Sequence, residues 1–200
     1  VTEHGQGRFF GNDIHSNKLV GMEITTAGNP HCDNNKVHDN NGGGYLISSG
    51  GHGVHENNEI LSNCLFGVCV TGAGTHPALR FNKVHDEKEF GFLITDKAEG
   101  EIAQNEIYAN RLAGIQIRNG ANPIVRANII RDGQSAGVIV MAGAEGLIEF
   151  NEIHNNAVAG VEIKTGGHPT LQENKWADGS VIDAMLEARK IDGADGNFKD

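Results

Sequence analysis

Apolar residues in this chain fall in short alternating runs. Gly21-Met22-Glu23-Ile24 near the start and Gly160-Val161-Glu162-Ile163 near the end both show the two-residue period of a β-strand. Each run is about three to five residues long and is bounded by Gly or Asn. A strand so short cannot bury a face by itself, but copies stacked in register can. The runs recur with a fixed period. An Asn-x-Ile/Val motif places Asn12, Asn35, Asn58, Asn82, Asn105, Asn128, Asn151 and Asn174 at steps of 23 residues, with one step of 24. Nine residues after each of the first seven stands a glycine, at 21, 44, 67, 91, 114, 137 and 160, and three residues further on an Ile or Val. Pro30, Pro77, Pro123 and Pro169 recur at twice the period, with Gly53, Gly100 and Gly146 in the coils between, so the full unit is two coils.

This pattern predicts an all-β fold, a right-handed parallel β-helix of about eight coils over residues 1–179, each coil rising ~4.8 Å. Stacking makes a demand that the sequence meets. The residues after the periodic asparagines read Asp13, Lys36, Glu59, Lys83, Glu106, Ile129, Glu152 and Lys175, so that signs alternate up the stack. The asparagines themselves fit an interior ladder, each amide donating to one coil and accepting from the other. The longer step places its extra residue in the loop around Gly72–His76. After Trp176 the pattern ends, and Ser180 followed by Val181, Ile182, Met185 and Leu186 predicts a capping helix over 180–191 and a flexible tail over 192–200. Val1 falls within a coil, as expected of a piece of a longer chain.

Glycine, at 28 of 200 residues, predicts many turns with positive φ. The net charge of −10 repels phosphate backbones and anionic membranes, and the longest apolar stretches are far short of the ~20 residues that span a bilayer. Neither nucleic acid nor membrane is an expected partner. Three cysteines without a CxxC exclude a complete disulfide framework and fit a reducing compartment such as the cytoplasm.

The alternation of coils such as Gly120-Ala121-Asn122-Pro123-Ile124-Val125-Arg126-Ala127-Asn128 with coils such as Gly51-His52-Gly53-Val54-His55-Glu56-Asn57-Asn58 resembles the carbohydrate-binding/sugar-hydrolase (CASH) repeats of the F-box-only β-helix proteins. Those are substrate-recognition subunits of ubiquitin ligases, and the resemblance covers about residues 5–190. The sequence carries neither an F-box nor a Cys/His-rich zinc module, so what the resemblance implies is the substrate-binding spiral. Similar coils occur in periplasmic copper-maturation proteins, polysaccharide lyases, glycosidases and uronate epimerases.

Candidate chemistry is sparse. Gly51-His52-Gly53 matches a glycosidase motif, yet Gly53 also matches the turn glycines at 100 and 146, and the paired carboxylates that hydrolysis requires are missing. His38-Asp39, His85-Asp86 and Arg131-Asp132 occupy equivalent positions in every second coil, with Asp178 continuing the row. They predict a stripe with rungs ~9.6 Å apart, suited to a repetitive ligand and, because it repeats, not to catalysis. Only His52, His85 and Asp86 offer catalytic candidates. His55 takes an inward position held by Leu79 or Ile102 elsewhere, one coil above Cys32; two residues do not make a zinc site, and a hydrogen-bonded core histidine over a buried thiol is the expectation. No metal or other cofactor is expected, and Asp192–Asn197 lacks calcium-loop spacing. Leu46, Cys69 and Leu93, outward in consecutive coils, predict an exposed apolar patch. The sequence therefore predicts a non-catalytic recognition scaffold for a protein or repetitive polymer, the alternative being a polysaccharide-active hydrolase, lyase or epimerase.

Overall fold

The computed structural model of the protein describes residues 1–175 together with 181–182 and 196–198. The chain winds through three sheets once per coil, making about seven full turns. The first sheet runs from Gln6–Phe10 through Asn29–Asp33, Val54–Glu56 and Ala78–Arg80 to Thr170–Gln172. The second contains Asp13–His15, Lys36–His38, Glu59–Leu61, Lys83–His85 and their successors to Asn174–Lys175. The third contains Met22–Ile24, Tyr45–Ser48, Phe66–Thr71, Phe90–Thr95 and on to Val161–Ile163. Strands one coil apart pair in parallel with no register slip, for example Leu79 with His55 and with Ile102. Two further strands pair antiparallel at the far end, Val181–Ile182 on Asn174–Lys175 and Gly196–Phe198 on Val161–Ile163. The helix expected over 180–191 lies outside the described residues, except that Val181–Ile182 are extended.

Inward side chains from all three sheets form one continuous core, including Leu79, Ile102, Ile60, Ile107, Phe92 and Ile94, each almost completely buried. Each such side chain contributes about 1.5–3 kcal/mol by leaving water. No helix of the described residues is long and apolar enough to cross a membrane.

The corners explain the polar pattern. Between first and second sheet, the residue before each ladder asparagine takes a left-handed conformation: Asn34, Asn57, Phe81, Gln104, Ala127, Phe150 and Glu173 all have φ near +50°. That bend turns the asparagine inward. Asn58 then accepts from both the backbone and the side chain of Asn35, and donates to Asn82 and to the carbonyl of Cys32. The ladder runs without a break from Asn12 to Asn174.

A second ladder, five residues later and absent from the sequence expectations, follows the same logic at the next corner. Asn17, Asn40 and Asn63 are linked by bonds of 2.8–3.1 Å. Its fourth rung is Glu87, buried, whose carboxylate accepts from the backbone and side chain of Asn63. Asn110 and Asn156 continue it, and Gly133 takes the rung between them.

Glycine does a different job from the one composition suggests. Most left-handed positions are held by residues other than glycine, with Asn, Asp, Ser and Ala foremost, whereas the glycines nine residues after the ladder asparagines, Gly21 through Gly160, have no positive φ. They are required by space: a Cβ on Gly91 would sit 2.5 Å from the carbonyl oxygen of Gly114, its copy one coil on. The inserted residue near 72–76 is absorbed by Gly72 and Gly74 at positive φ, with Thr75 buried and donating to the carbonyl of Thr71.

Candidate functional site

In every second coil the strand of the second sheet ends in a residue of the predicted stripe, His38, His85 or Arg131, and the next residue is left-handed. Asp39, Asp86 and Asp132 have φ of 54°, 55° and 56°, a conformation that Asp tolerates better than most residues. The turn brings each carboxylate back onto the preceding side chain. His38 Nδ1 lies 2.7 Å from Asp39, His85 Nδ1 lies 2.6 Å from Asp86, and Arg131 donates to Asp132 at 2.6 Å. A second carboxylate comes from the coil below: Asp13 reaches His38 Nε2 at 2.8 Å, Glu106 accepts from Arg131 at 2.6 Å, and Glu59 stands 3.7 Å from His85 Nε2.

Two neighbouring coils supply rings to this row, while the coil between His38 and His85 supplies Leu61. Tyr108 stacks on His85, with centroids 4.5 Å apart and planes 5° from parallel, and Arg131 covers its other face at 4.5 Å. His15 stacks on His38 at 4.9 Å. The result is a column His85–Tyr108–Arg131 flanked on both sides by carboxylates. The hydrogen bond that His38 Nδ1 donates to the Asp39 carboxylate is the chief cause that raises the pKa of His38 and favours its cationic form. Arg131 in turn holds Asp132 below the usual carboxylate range. Asp178 lies outside the described residues, as does the segment Asp192–Asp195.

Acid–base chemistry finds little purchase here. His52 packs against His76 with ring centroids 4.1 Å apart and planes tilted by 54°, desolvation depresses its pKa, and no ion pair reaches it among the described residues. Gly53, at φ +102°, lies over the carbonyl of Pro30, as Gly100 lies over that of Pro77 and Gly146 over that of Pro123. His85 and Asp86 are engaged with each other within the stack.

His55 and Cys32 are core residues, directly paired in adjacent strands and fully buried. His55 Nε2 faces the carbonyl of His52 at 3.2 Å. Burial drives the His55 pKa down to about 4 and that of Cys32 up to about 12. All three cysteines are free thiols.

The exposed patch expected at Leu46, Cys69 and Leu93 requires correction: Leu46 is partly exposed, but Cys69 and Leu93 are only 5% and 8% exposed. The outer face of the third sheet packs within itself. Ala113, Ala136, Ile139 and Ala159 form a second apolar cluster with Phe90 and Met141, and the ring of Phe66 lies across Gly43. Cys69 lies directly paired between Leu46 and Leu93 in the neighbouring strands, so each side chain of this row has another one coil away.

Sequence reasoning overlooked one group. On the first sheet Arg8 bonds Asp33 at 3.1 Å, while Glu56 lies between His31 and Arg80, each at 2.8 Å. His31, Glu56 and Arg80 line a shallow hollow of about 250 Å³ with Asn29, Pro30 and Val54. Reading outward columns of the first sheet, as for the second, exposes this set.

A family model described as the right handed beta helix region matches residues 1–102 and 79–186. Among solved structures, the periplasmic alginate epimerase AlgG is similar as its T265N mutant, at 15% identity and a TM-score of 0.74, and as its D317A mutant, at 17% and 0.76. Each match covers 84% of this chain and 45% of the other, so the chain spans less than half the length of these structures. At such identity the likeness is one of fold. No curated protein matches the chain.

Proposed function

We propose that this chain, which belongs to the right-handed β-helix family, is a non-catalytic recognition scaffold for a repetitive polymer, bound along the outer face of the second sheet. One observation carries the reading: basic side chains beside carboxylates, at His38, His85 and Arg131, recur every second coil, ~9.6 Å apart, each with carboxylates on two sides. A ligand with its own regular repeat meets the same chemistry at each rung, and effective concentration then multiplies weak contacts. Catalysis asks for the opposite, one unique group with a perturbed and available acid or base. Here the candidate acids and bases are held by their coil neighbours. The likeness to a polysaccharide-processing protein supports a glycan as the polymer, and the resemblance to the substrate-binding repeats of F-box β-helix proteins supports recognition over turnover.

The test is incubation with a panel of neutral, acidic and amino polysaccharides, measuring both retention and new reducing or unsaturated ends. Retention without new ends, weakened at least fivefold in Tyr108→Ala and in Arg131→Ala, is the expected result. New chain ends or epimerised residues would replace the scaffold reading with the enzymatic one. No retention of any polymer would remove the stripe as a polysaccharide site and point to a protein partner.

A further inference from the structure

We propose that the corner between the second and third sheets, together with the adjoining outer face of the third sheet, is an interface through which two copies of this chain pair. One column of residues runs along that corner from Leu19 to Val158. Backbone bonds stack it: Gly42 donates to the carbonyl of Leu19, Leu65 to that of Gly42, and Leu112 to that of Glu89. Every second member is aliphatic and reaches into water, Leu19, Leu65, Leu112 and Val158 being 76%, 44%, 37% and 48% exposed. These are four of the nine large apolar side chains left exposed among the described residues, and they recur every ~9.6 Å in one line, so the exposure is organised rather than scattered.

The face beside this column is apolar as well. Ala113, Ala136, Ile139 and Ala159 are buried there on the outside of the solenoid, packed with Phe90 and Met141, which stay partly exposed. On the same face Gln116 is 8% exposed, and its Oε1 has no hydrogen-bond partner. Native structures rarely leave such an atom unpaired; a second chain laid on the face supplies donors to it.

Size and charge identify that chain as another copy. From Leu19 to Val158 the face is ~29 Å long, and a six-residue strand such as Phe66–Thr71 makes it ~20 Å wide. Covering it on both copies removes about 1,200 Å², the lower bound for a specific, stable interface. At a net charge of −10, copies repel one another wherever charged rows meet, and the first and second sheets carry such rows. The outward column of the third sheet is charged only at its ends, Glu23 and Glu162, and neutral in the coils between. Charge is likewise depleted at the centre of protein interfaces and kept to the rim. A two-fold axis across the solenoids sets the copies antiparallel, with the same face on each. The Glu23 end of one then meets the end of the other that holds Lys164, paired within its own chain with Glu162 at 3.3 Å.

The test is sedimentation velocity on the full chain from ~1 to ~300 μM, at low and at high salt. The expected result is a reversible monomer–dimer equilibrium whose dimer fraction rises with salt, because screening weakens the repulsion between like-charged copies while apolar contact persists. The dissociation constant should rise at least tenfold in Leu65→Glu/Leu112→Glu and at least threefold in Leu65→Ser/Leu112→Ser. Both positions are exposed, so the serine pair should keep the parent's circular dichroism and melting temperature. A chain that stays monomeric throughout, a dimer that salt dissociates, or one that both variants form as readily as the parent overturns the interface. Monomers whose retention on a polysaccharide falls in Leu65→Glu/Leu112→Glu would overturn it too, and would assign the column to the polymer.

Discussion

Truncating one rung in the middle of the first asparagine ladder tests why the fold holds. In Asn105→Ala the lost oxygen accepts from the backbone N–H of Asn82 at 2.9 Å and from its side-chain amide at 3.0 Å. The lost amide donates to the carbonyl of Leu79 at 2.9 Å and to Asn128 at 3.0 Å. Two of the four partners keep other bonds, because Asn82 still donates to the carbonyl of His55 and Asn128 still accepts from the backbone of residue 105. The backbone N–H of Asn82 has no substitute and is left buried and unpaired, at a cost of about 1–3 kcal/mol; the other losses add about 1 kcal/mol each. The expected total is ~4–6 kcal/mol. Asn12→Ala is the control: Asn12 is exposed, and Asn35 still accepts from its backbone at 3.0 Å, so that change costs under about 1 kcal/mol. Urea titration compares the two variants, and amide exchange reads the Asn82 N–H directly. Equal midpoints for the two, or unchanged protection at Asn82, would refute the argument that the ladder stabilises by satisfying buried backbone donors.

Three further outcomes follow from other positions. Burial raises the pKa of Glu87 to about 8, above its unfolded value of about 4.5, so the folded state binds the extra proton. Stability then falls as pH rises from about 4.5 to 8 and levels off above that; Glu87→Gln should flatten this slope and be more stable than the parent at pH 9, by ~2–4 kcal/mol, measured by thermal melts across pH. Gly91→Ala should cost about 3 kcal/mol because its Cβ meets a backbone oxygen at 2.5 Å, while Gly143→Ala, at φ +74° with nothing within 4 Å, should cost about 1–2 kcal/mol. Chemical denaturation giving the reverse order would show that corner conformation, not coil spacing, selects glycine. Phe81, left-handed at φ 58° and 46% exposed, is strained with little burial in return, so Phe81→Asn should raise stability by ~0.5–1 kcal/mol; a lower melting temperature would refute that account.

Much of this architecture is legible in the sequence because stacking converts a one-dimensional period into a spatial register. Asn12 through Asn174 stack as their spacing requires, and the series Asp13, Lys36, Glu59, Lys83 forms the neighbours that its alternating signs suggest. The second ladder has the same signal, an Asn five residues after Asn12, Asn35, Asn58, Asn105 and Asn151, but Glu87 and Gly133 interrupt it. Glu87 fills a rung because a carboxylate offers two acceptors to Asn63 as an amide oxygen does; the residue identity changes while the acceptor geometry survives. A motif search by residue type misses that equivalence, whereas a search by hydrogen-bonding capacity finds it.

The site is legible in a different degree. The His-Asp and Arg-Asp rungs follow from spacing, and the period also puts Tyr108 one coil from both His85 and Arg131, yet it does not reveal that the three would stack face to face, or that Asp13 and Glu106 would reach across coils to His38 and Arg131. Those contacts depend on side-chain reach, which exceeds the ~4.8 Å rise of one coil. The failed prediction at Cys69 and Leu93 has the same origin. Alternation sets the side of the sheet to which a residue points, and neighbours one coil and one column away decide whether that side is wet. In a solenoid each outward residue has such neighbours above and below. Functional surfaces are therefore better sought where neighbouring columns carry complementary groups than where a single column looks exposed; by that criterion the second sheet, with cation and ring in one column and carboxylates in the columns beside it, is the face on which a ligand would find organised chemistry.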